Sequence, residues 1–361
     1  VVDVQISPAS ACKLLFVPTK FPIRIVASLG PTLSSEADLT TALQLGVDFR
    51  QPFGYRVQDH YGQFALLNRL RATVGQSSQI YVDLPSERPR IGRLPNELRL
   101  QAGQQVRIEA QAVGGNPDEV PLPDWPRFAT ALQPGHRLLI RDGHTVLRLT
   151  SVTATQGTAE VEQSVEGIAT NNNVMFPDSV VLFEPVVEED RQLLRRYREA
   201  SFFPDWIMLS LITAVEQVER AKLALREIFG ERTPKIMVKI ETAKSVERMP
   251  SLLEAADGLL VGRGDLGMAV PAETIPAIQD DVVRECQTAG KPVLVATEFL
   301  QRYAETGVAN RAELSDVALA VRQGASGIVL TKETSGSPHA LASIRLAQRV
   351  IAVETARAHR A

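Results

Sequence analysis

The feature that most constrains this chain is a unit repeated from Arg24 onward: a short apolar run, a polar loop, then an amphipathic helical segment. The apolar runs fall at 24–29 (RIVASL), 48–53 (DFRQPF), 79–84 (QIYVDL), 205–210 (DWIMLS), 235–241 (KIMVKIE), 258–262 (GLLVG), 292–297 (PVLVAT) and 327–331 (GIVLT). Runs this short and apolar suit strands covered on both faces, as in a parallel sheet. Between them, SEADLTTALQLG offers Ser35 as an N-cap and Gly46 as a stop, and AVEQVERAKLALREIFG closes at Gly230. Eight such units predict an α/β fold, a (β/α)8 TIM barrel, with its functional groups at the C-terminal ends of the strands. An open doubly wound sheet is the alternative architecture.

The rhythm breaks between the third and fourth runs. LRLQAGQQVRIEAQAV and HRLLIRDGHTVLRLTSVTATQGTAEVEQ alternate with period two and are punctuated by Gly, Pro and Asn, the pattern of β-hairpins and meanders. This predicts an all-β domain inserted after the third strand. The chain then divides into a first barrel part (1–92), the insert (93–180) and a second barrel part (181–361). An insert at the catalytic face is placed to act as a lid; a passive insertion is the alternative.

Strand parity carries the first functional reading. Lys239 and Glu241 lie two apart at the end of the fifth run and so share a face. Asp265 follows the sixth run in GRGDLG. In one parallel sheet these ends bring an ammonium and two carboxylates together, a set suited to a divalent metal holding an anionic, oxygen-rich substrate. Other classes fall away. A net charge of −3 gives no reason to expect nucleic acid or an anionic membrane as partner. No apolar stretch approaches the ~18 residues of a membrane span. Two distant cysteines, Cys12 and Cys286, point to a reducing, cytoplasmic setting. The N-terminus lacks a starting Met and a signal pattern, and whether it is a cut end of a longer product stays open.

RIVASLGPTLSS, VKIET, DGLLVGRGDLGMAVPAE, GKPVLVATEFL, NRAELSDVALAV and GIVLTKETSGSPH, in this order, resemble the pyruvate kinase family over roughly residues 23–355. The insert lies where that family has its lid, including Arg141-Asp142-Gly143. The family's C-terminal regulatory domain has no counterpart here, so control by sugar phosphates through it is not expected. Family tetramers assemble partly through that domain, which leaves a homo-oligomer as an open expectation. The resemblance implies an enzyme acting on phosphoenolpyruvate, or on the pyruvate enolate, with phosphoryl transfer to ADP. It implies that Lys239 stabilises the transferring phosphoryl group and the enolate oxygen. Glu241 and Asp265 would ligate magnesium, or manganese in its place. The backbone amides of Gly264 and Asp265 would receive the substrate carboxylate, and Thr297 would assist enolate protonation. Arg50 matches a phosphate-contacting arginine, Arg90 another active-site arginine, and Ser210 a serine near the metal.

The first half departs from the family. Its potassium-holding Asn and Ser are here Pro52 and Gly54, its nucleotide-side histidine is Tyr55, and its potassium-binding threonine is Leu84. A lysine expected near the nucleotide phosphates is Glu189. Arg88 replaces a glutamate and is a candidate substitute for potassium, which is then not expected to be required. The nucleotide half is thus eroded while the enolate half is kept. The alternative reading is a magnesium-dependent 2-oxo-acid aldolase or oxaloacetate decarboxylase working without ADP or ATP, and a further one is a catalytically silent binding protein.

GRGDLG matches G-x-G-x-x-G literally, but the expected strand–loop–helix context is missing because Met-Ala-Val-Pro follows where a helix should open. His60, His136, His144, His339 and His359 lack ligand spacing and read as surface residues. Lys332 offers a phosphate contact or a solvated charge.

Overall fold

The computed structural model describes residues 22–53, 60–75, 77–141, 143–179 and 181–358. Cys12, Gly54, Tyr55, Asp142 and His359 lie outside the described residues. Eight parallel strands close into a barrel: β1 (Arg24–Ser28), β2 (Asp48–Pro52), β3 (Ile80–Leu84), then, after six strands of the insert, β10 (Trp206–Leu209), β11 (Lys235–Ile240), β12 (Gly258–Gly262), β13 (Val293–Ala296) and β14 (Gly327–Leu330). The neighbours run β1-β14-β13-β12-β11-β10-β3-β2, which returns to β1. The predicted punctuation holds: Ser35 accepts from the Asp38 N–H at 3.1 Å ahead of helix Glu36–Gln44, and Gly230 caps helix Val215–Phe229.

Parity sorts each strand. On β11, Ile236, Val238 and Ile240 pack outward against the helices, whereas Met237 joins Val26, Tyr81, Trp206, Met208, Leu260, Leu294, Ala296 and Val329 inside the barrel. A strand turns successive side chains to opposite faces. The same inward parity, followed toward the C-terminal ends, reaches Ser28, Arg50, Asp83, Ser210 and Lys239. The polar mouth is therefore the continuation of the apolar interior rows. It is built on strands whose side chains pack on both faces of the sheet.

The insert forms a six-stranded sheet: β4 (Gln105–Glu109), β5 (Glu119–Pro121), β6 (Arg137–Ile140), β7 (Thr145–Val152), β8 (Gln156–Ser164) and β9 (Val174–Met175), in the order β5-β4-β8-β7-β6-β9. All pairings are antiparallel except β4 with β5. The domain is not purely β, because Trp125–Phe128 makes a helical turn that seats Trp125 in its core. Gly157 is needed there: a Cβ on it would stand 2.5 Å from the Trp125 ring. Leu211, from the loop after β10, is buried in this same core and keys barrel to insert.

Two consequences of burial are measurable. Cys286 is fully buried on helix Ile275–Ala289, and burial pushes its thiol up to about 12. We expect a thiol reagent at pH 8 to leave Cys286 unmodified in native protein and to modify it in denaturant; peptide mass mapping distinguishes it from Cys12. Native labelling would contradict the packing. Asp190, on helix Glu188–Glu199, is buried with Oδ2 lacking a partner among the described residues, and burial raises it to about 7. A carboxyl whose folded pKa is raised contributes stability below its unfolded value and loses it as pH rises through the folded one. Stability should therefore decline between about pH 4 and 8 by on the order of 4 kcal/mol from this group. Asp190→Asn should flatten that slope in denaturant titrations, and an unchanged slope would count against it.

Candidate active site

The mouth of the barrel holds a cleft of about 490 Å³ lined by Arg50, Asp83, Arg88, Lys239, Glu241, Asp265 and Thr297, among others. Its centre is the Lys239 ammonium. It lies 2.8 Å from Glu241 Oε1, donates to Ser210 Oγ at 2.9 Å and reaches Asp83 Oδ1 at 3.3 Å. Burial alone would lower the Lys239 pKa, but Asp83 and Glu241 outweigh it and hold the ammonium above its ordinary value. Lys239 is thus a fixed positive charge throughout the neutral range.

Asp83 was not among the expected site residues, yet it organises the mouth. Besides Lys239 it receives Arg50 at 2.7 Å, while Arg50 also donates to Ser28 Oγ at 3.0 Å. Burial pushes the Asp83 carboxyl up, but Lys239 and Arg50 prevail and leave it below the usual carboxylate range. A lone carboxylate within the apolar IYVDL run, in phase with inward Tyr81, was the available signal.

Glu241 and Asp265 meet from the ends of β11 and β12. Glu241 also accepts the Leu211 N–H at 3.1 Å, and Leu211 adopts φ 55° there. Gly262 provides the space: a Cβ on it would stand 2.7 Å from Glu241 Cγ. Burial raises the Glu241 carboxyl despite Lys239. Burial raises Asp265 too, but Arg88 outweighs it and holds that carboxyl low. Arg88 meets Asp265 in a two-pronged pair, 3.0 Å to Oδ1 and 2.8 Å to Oδ2. A buried carboxylate, Glu241, adjoining the half-buried one of Asp265 fits a hard divalent cation, which takes few protein carboxylates and completes its shell with substrate oxygens or water. Among the described residues, no group of three or more His, Cys, Asp and Glu side chains is arranged to hold a metal by itself.

Asp265 sits in a helix that opens directly after β12 and spans Arg263–Ala269, so GRGDLG is helical, and no helix opens at the Met-Ala-Val-Pro run, where this one ends. The barrel strand delivers its chain straight into a helical turn that places Gly264 and Asp265 in the wall of the cleft. Thr297 follows β13 with φ 78°, and Glu298 with φ 58°. Consecutive non-glycine residues in this region are strained and need support. Arg263 supplies it, donating to the Ala296 carbonyl at 3.2 Å and to the Thr297 carbonyl. The same guanidinium pairs with Asp316 at 2.7 Å and stacks on Phe299 at 4.1 Å. The Thr297 hydroxyl has no hydrogen-bond partner among the described residues and lies 3.7 Å from where a Gly264 Cβ would be.

Arg90 is placed elsewhere. It lines an adjoining cleft of about 590 Å³ with Pro31, Pro52 and Ser335, and the two clefts share Gln301 and Lys332. Lys332 accordingly stands on the boundary between them. Glu189 is exposed. His144, read as a surface residue, forms part of the wall of the main cleft from the insert's side. Among the described residues, no helix is long and apolar enough to cross a membrane.

Comparison with known proteins bears on this geometry. The family model for the pyruvate kinase barrel domain matches residues 22–344. A pyruvate kinase of Agrobacterium vitis is 32% identical over 344 residues, covering 93% of this chain and 70% of that protein. One of Thermotoga maritima is 28% identical over 337 residues, covering 91% and 70%. The crystal structure of a pyruvate kinase from Cryptosporidium parvum superposes with a TM-score of 0.84 at 24% identity, over 92% of this chain and 69% of that one, which shows the shared fold. With an eight-stranded barrel, an insert after β3 and a family match over most of its length, the chain belongs to the pyruvate kinase family.

Proposed function

We propose that the chain is a phosphotransferase that moves the phosphoryl group of phosphoenolpyruvate to ADP, yielding ATP and, after proton uptake at the methylene carbon, pyruvate. The observation that carries this reading is the Lys239 ammonium held among Asp83, Ser210 and Glu241, beside Asp265 and the Thr297 hydroxyl, which has no hydrogen-bond partner among the described residues. Lys239 and Arg50 offset charge on the moving phosphoryl group. Once the P–O bond to the enol oxygen breaks, Lys239 steadies the enolate oxygen, and Thr297, with a water, delivers the proton. The amides of Gly264 and Asp265 receive the substrate carboxylate. Glu241 and Asp265 would hold magnesium or manganese, which supplies charge neutralisation when bound. The adjoining cleft, with Arg90 and Lys332, has a size suited to a nucleotide. Arg88 keeps a positive charge at the mouth, so potassium is not required.

A second reading drops the nucleotide and keeps the enolate chemistry, as an oxaloacetate decarboxylase or 2-oxo-acid aldolase. Exposed Glu189 and Pro52 in the wall of the adjoining cleft favour it. A coupled assay from phosphoenolpyruvate and ADP, with magnesium and with or without potassium, is run beside oxaloacetate consumption. We expect ATP formation that does not respond to potassium. Oxaloacetate consumption without ATP would replace the first reading by the second. Oxalate binding with no turnover of any substrate would leave a binding protein.

A further inference from the structure

Arg88 is more than a spare charge at the mouth. Its guanidinium engages both oxygens of Asp265, at 3.0 and 2.8 Å, with the two side chains only 14% and 17% exposed. The loop that carries it is anchored. Ser86 adopts φ 61° and donates its hydroxyl to the Glu184 carbonyl at 2.9 Å, the Glu87 N–H donates to that carbonyl at 3.3 Å, and the Arg88 N–H donates to the Ser86 carbonyl at 2.9 Å. Glu87 is paired in turn with Arg127 of the insert. A fork presented this way is a built contact, and its planar geometry matches a carboxylate two-to-two.

The consequence of this contact rests on the proposed role of Glu241 and Asp265 as ligands of a divalent ion. A guanidinium and a divalent cation on the same carboxylate repel, and the more strongly where both side chains are largely out of solvent, as here. We infer that Arg88 is a tethered competitor of the divalent ion at Asp265, so that ion binding is conditional on an anionic co-ligand that takes Arg88 away. When the ion arrives, the guanidinium must leave Asp265 and turn into the cleft. There an anionic substrate group gives it a new partner. Ion and anion therefore bind together better than either binds alone, and linkage makes the gain reciprocal. Lys239 stands against Glu241 in a similar way, at 2.8 Å, with Asp83 and Ser210 as its further partners. The gate is at Asp265.

Manganese binding counted by the loss of the free-ion paramagnetic signal tests this without any turnover. The unsubstituted chain, Arg88→Met, Arg88→Lys and Glu241→Gln are titrated with manganese alone and with manganese plus oxalate. Arg88→Met should bind manganese alone about tenfold tighter than the unsubstituted chain, within the usual range of coupling between sites. The improvement that oxalate brings should shrink in that variant. Arg88→Lys, which keeps charge but loses the fork, should fall between. Thermal unfolding checks that each variant is folded, and Arg88→Lys carries the comparison if Arg88→Met is not. Equal or weaker manganese binding in the Arg88 variants, with binding lost in Glu241→Gln, would overturn the inference and leave the ion site standing. No manganese binding in any chain, even with oxalate, would overturn both.

Discussion

Replacing Lys239 with methionine is expected to lower turnover of phosphoenolpyruvate by at least about a thousandfold, the upper range for removing a charge-stabilising donor from a water-poor site. Methionine keeps most of the side-chain volume, so the loss isolates the charge. kcat and kcat/KM should fall together, because the ammonium matters most where negative charge develops. The substitution also leaves Glu241 with the Leu211 N–H and without its close cation. Glu241 already titrates high through burial, and losing Lys239 moves it further in that direction. A carboxyl raised on folding favours the native state at low pH and loses that contribution as pH rises through its folded pKa. The variant should therefore be closest to the unsubstituted chain in melting temperature near pH 5 and furthest from it near pH 8. Turnover within tenfold of the unsubstituted chain would refute the role given to Lys239.

The second large effect is expected at Arg263, which touches no reacting atom. Arg263→Ala removes the ion pair to Asp316, the stacking on Phe299 and the donors to two carbonyls of the Thr297 turn. Breaking one side of a largely buried pair costs roughly 3 kcal/mol. The turn itself, with φ 78° at Thr297 and 58° at Glu298, would relax toward ordinary conformations once its clamp is gone. Arg263 is thus a positioning residue, and its loss should strike the proton-transfer step. We expect deuterium incorporation from solvent into the methyl group of pyruvate, followed by NMR, to slow by about a hundredfold, the scale set for misplaced groups. KM for phosphoenolpyruvate should change only a few-fold. Arg263→Lys keeps the Asp316 pair and should recover stability better than exchange. Loss of stability with normal exchange would reduce Arg263 to a structural role.

The parts legible in the sequence were those written as local pattern. Strands of a closed parallel barrel are buried on both sides, so RIVAS and GLLVG declare themselves as apolar runs, and Ser35 and Gly230 declare helix ends. Parity also placed Lys239 and Glu241 together. The helical turn at Trp125–Phe128 was hidden within an alternating region, and the helix at Arg263–Ala269 was masked by its glycines. The side-chain pairings were out of reach for another reason. Arg88 finds Asp265 177 residues away, and Arg263 finds Asp316 53 residues away. Nothing near either residue in the chain specifies its partner. Nor does any residue type announce a left-handed threonine, since the conformation is imposed by Arg263 and not preferred by Thr297. Asp83 was visible as an oddity in an apolar strand, but only closure of the barrel sets it between Arg50 and Lys239.

The pairing of three side-chain cations, Arg50, Arg88 and Lys239, with three carboxylates, Asp83, Glu241 and Asp265, has a kinetic side. Opposite charges matched this closely largely cancel one another at a distance. Electrostatic steering, which speeds the capture of charged ligands and fades with salt, has little to act on here. If the substrate is the phosphoenolpyruvate proposed above, it finds the opening by unguided diffusion, and its association rate constant should be nearly indifferent to ionic strength. Selection for the right anion is deferred to contact, when the internal pairs are traded for the incoming oxygens.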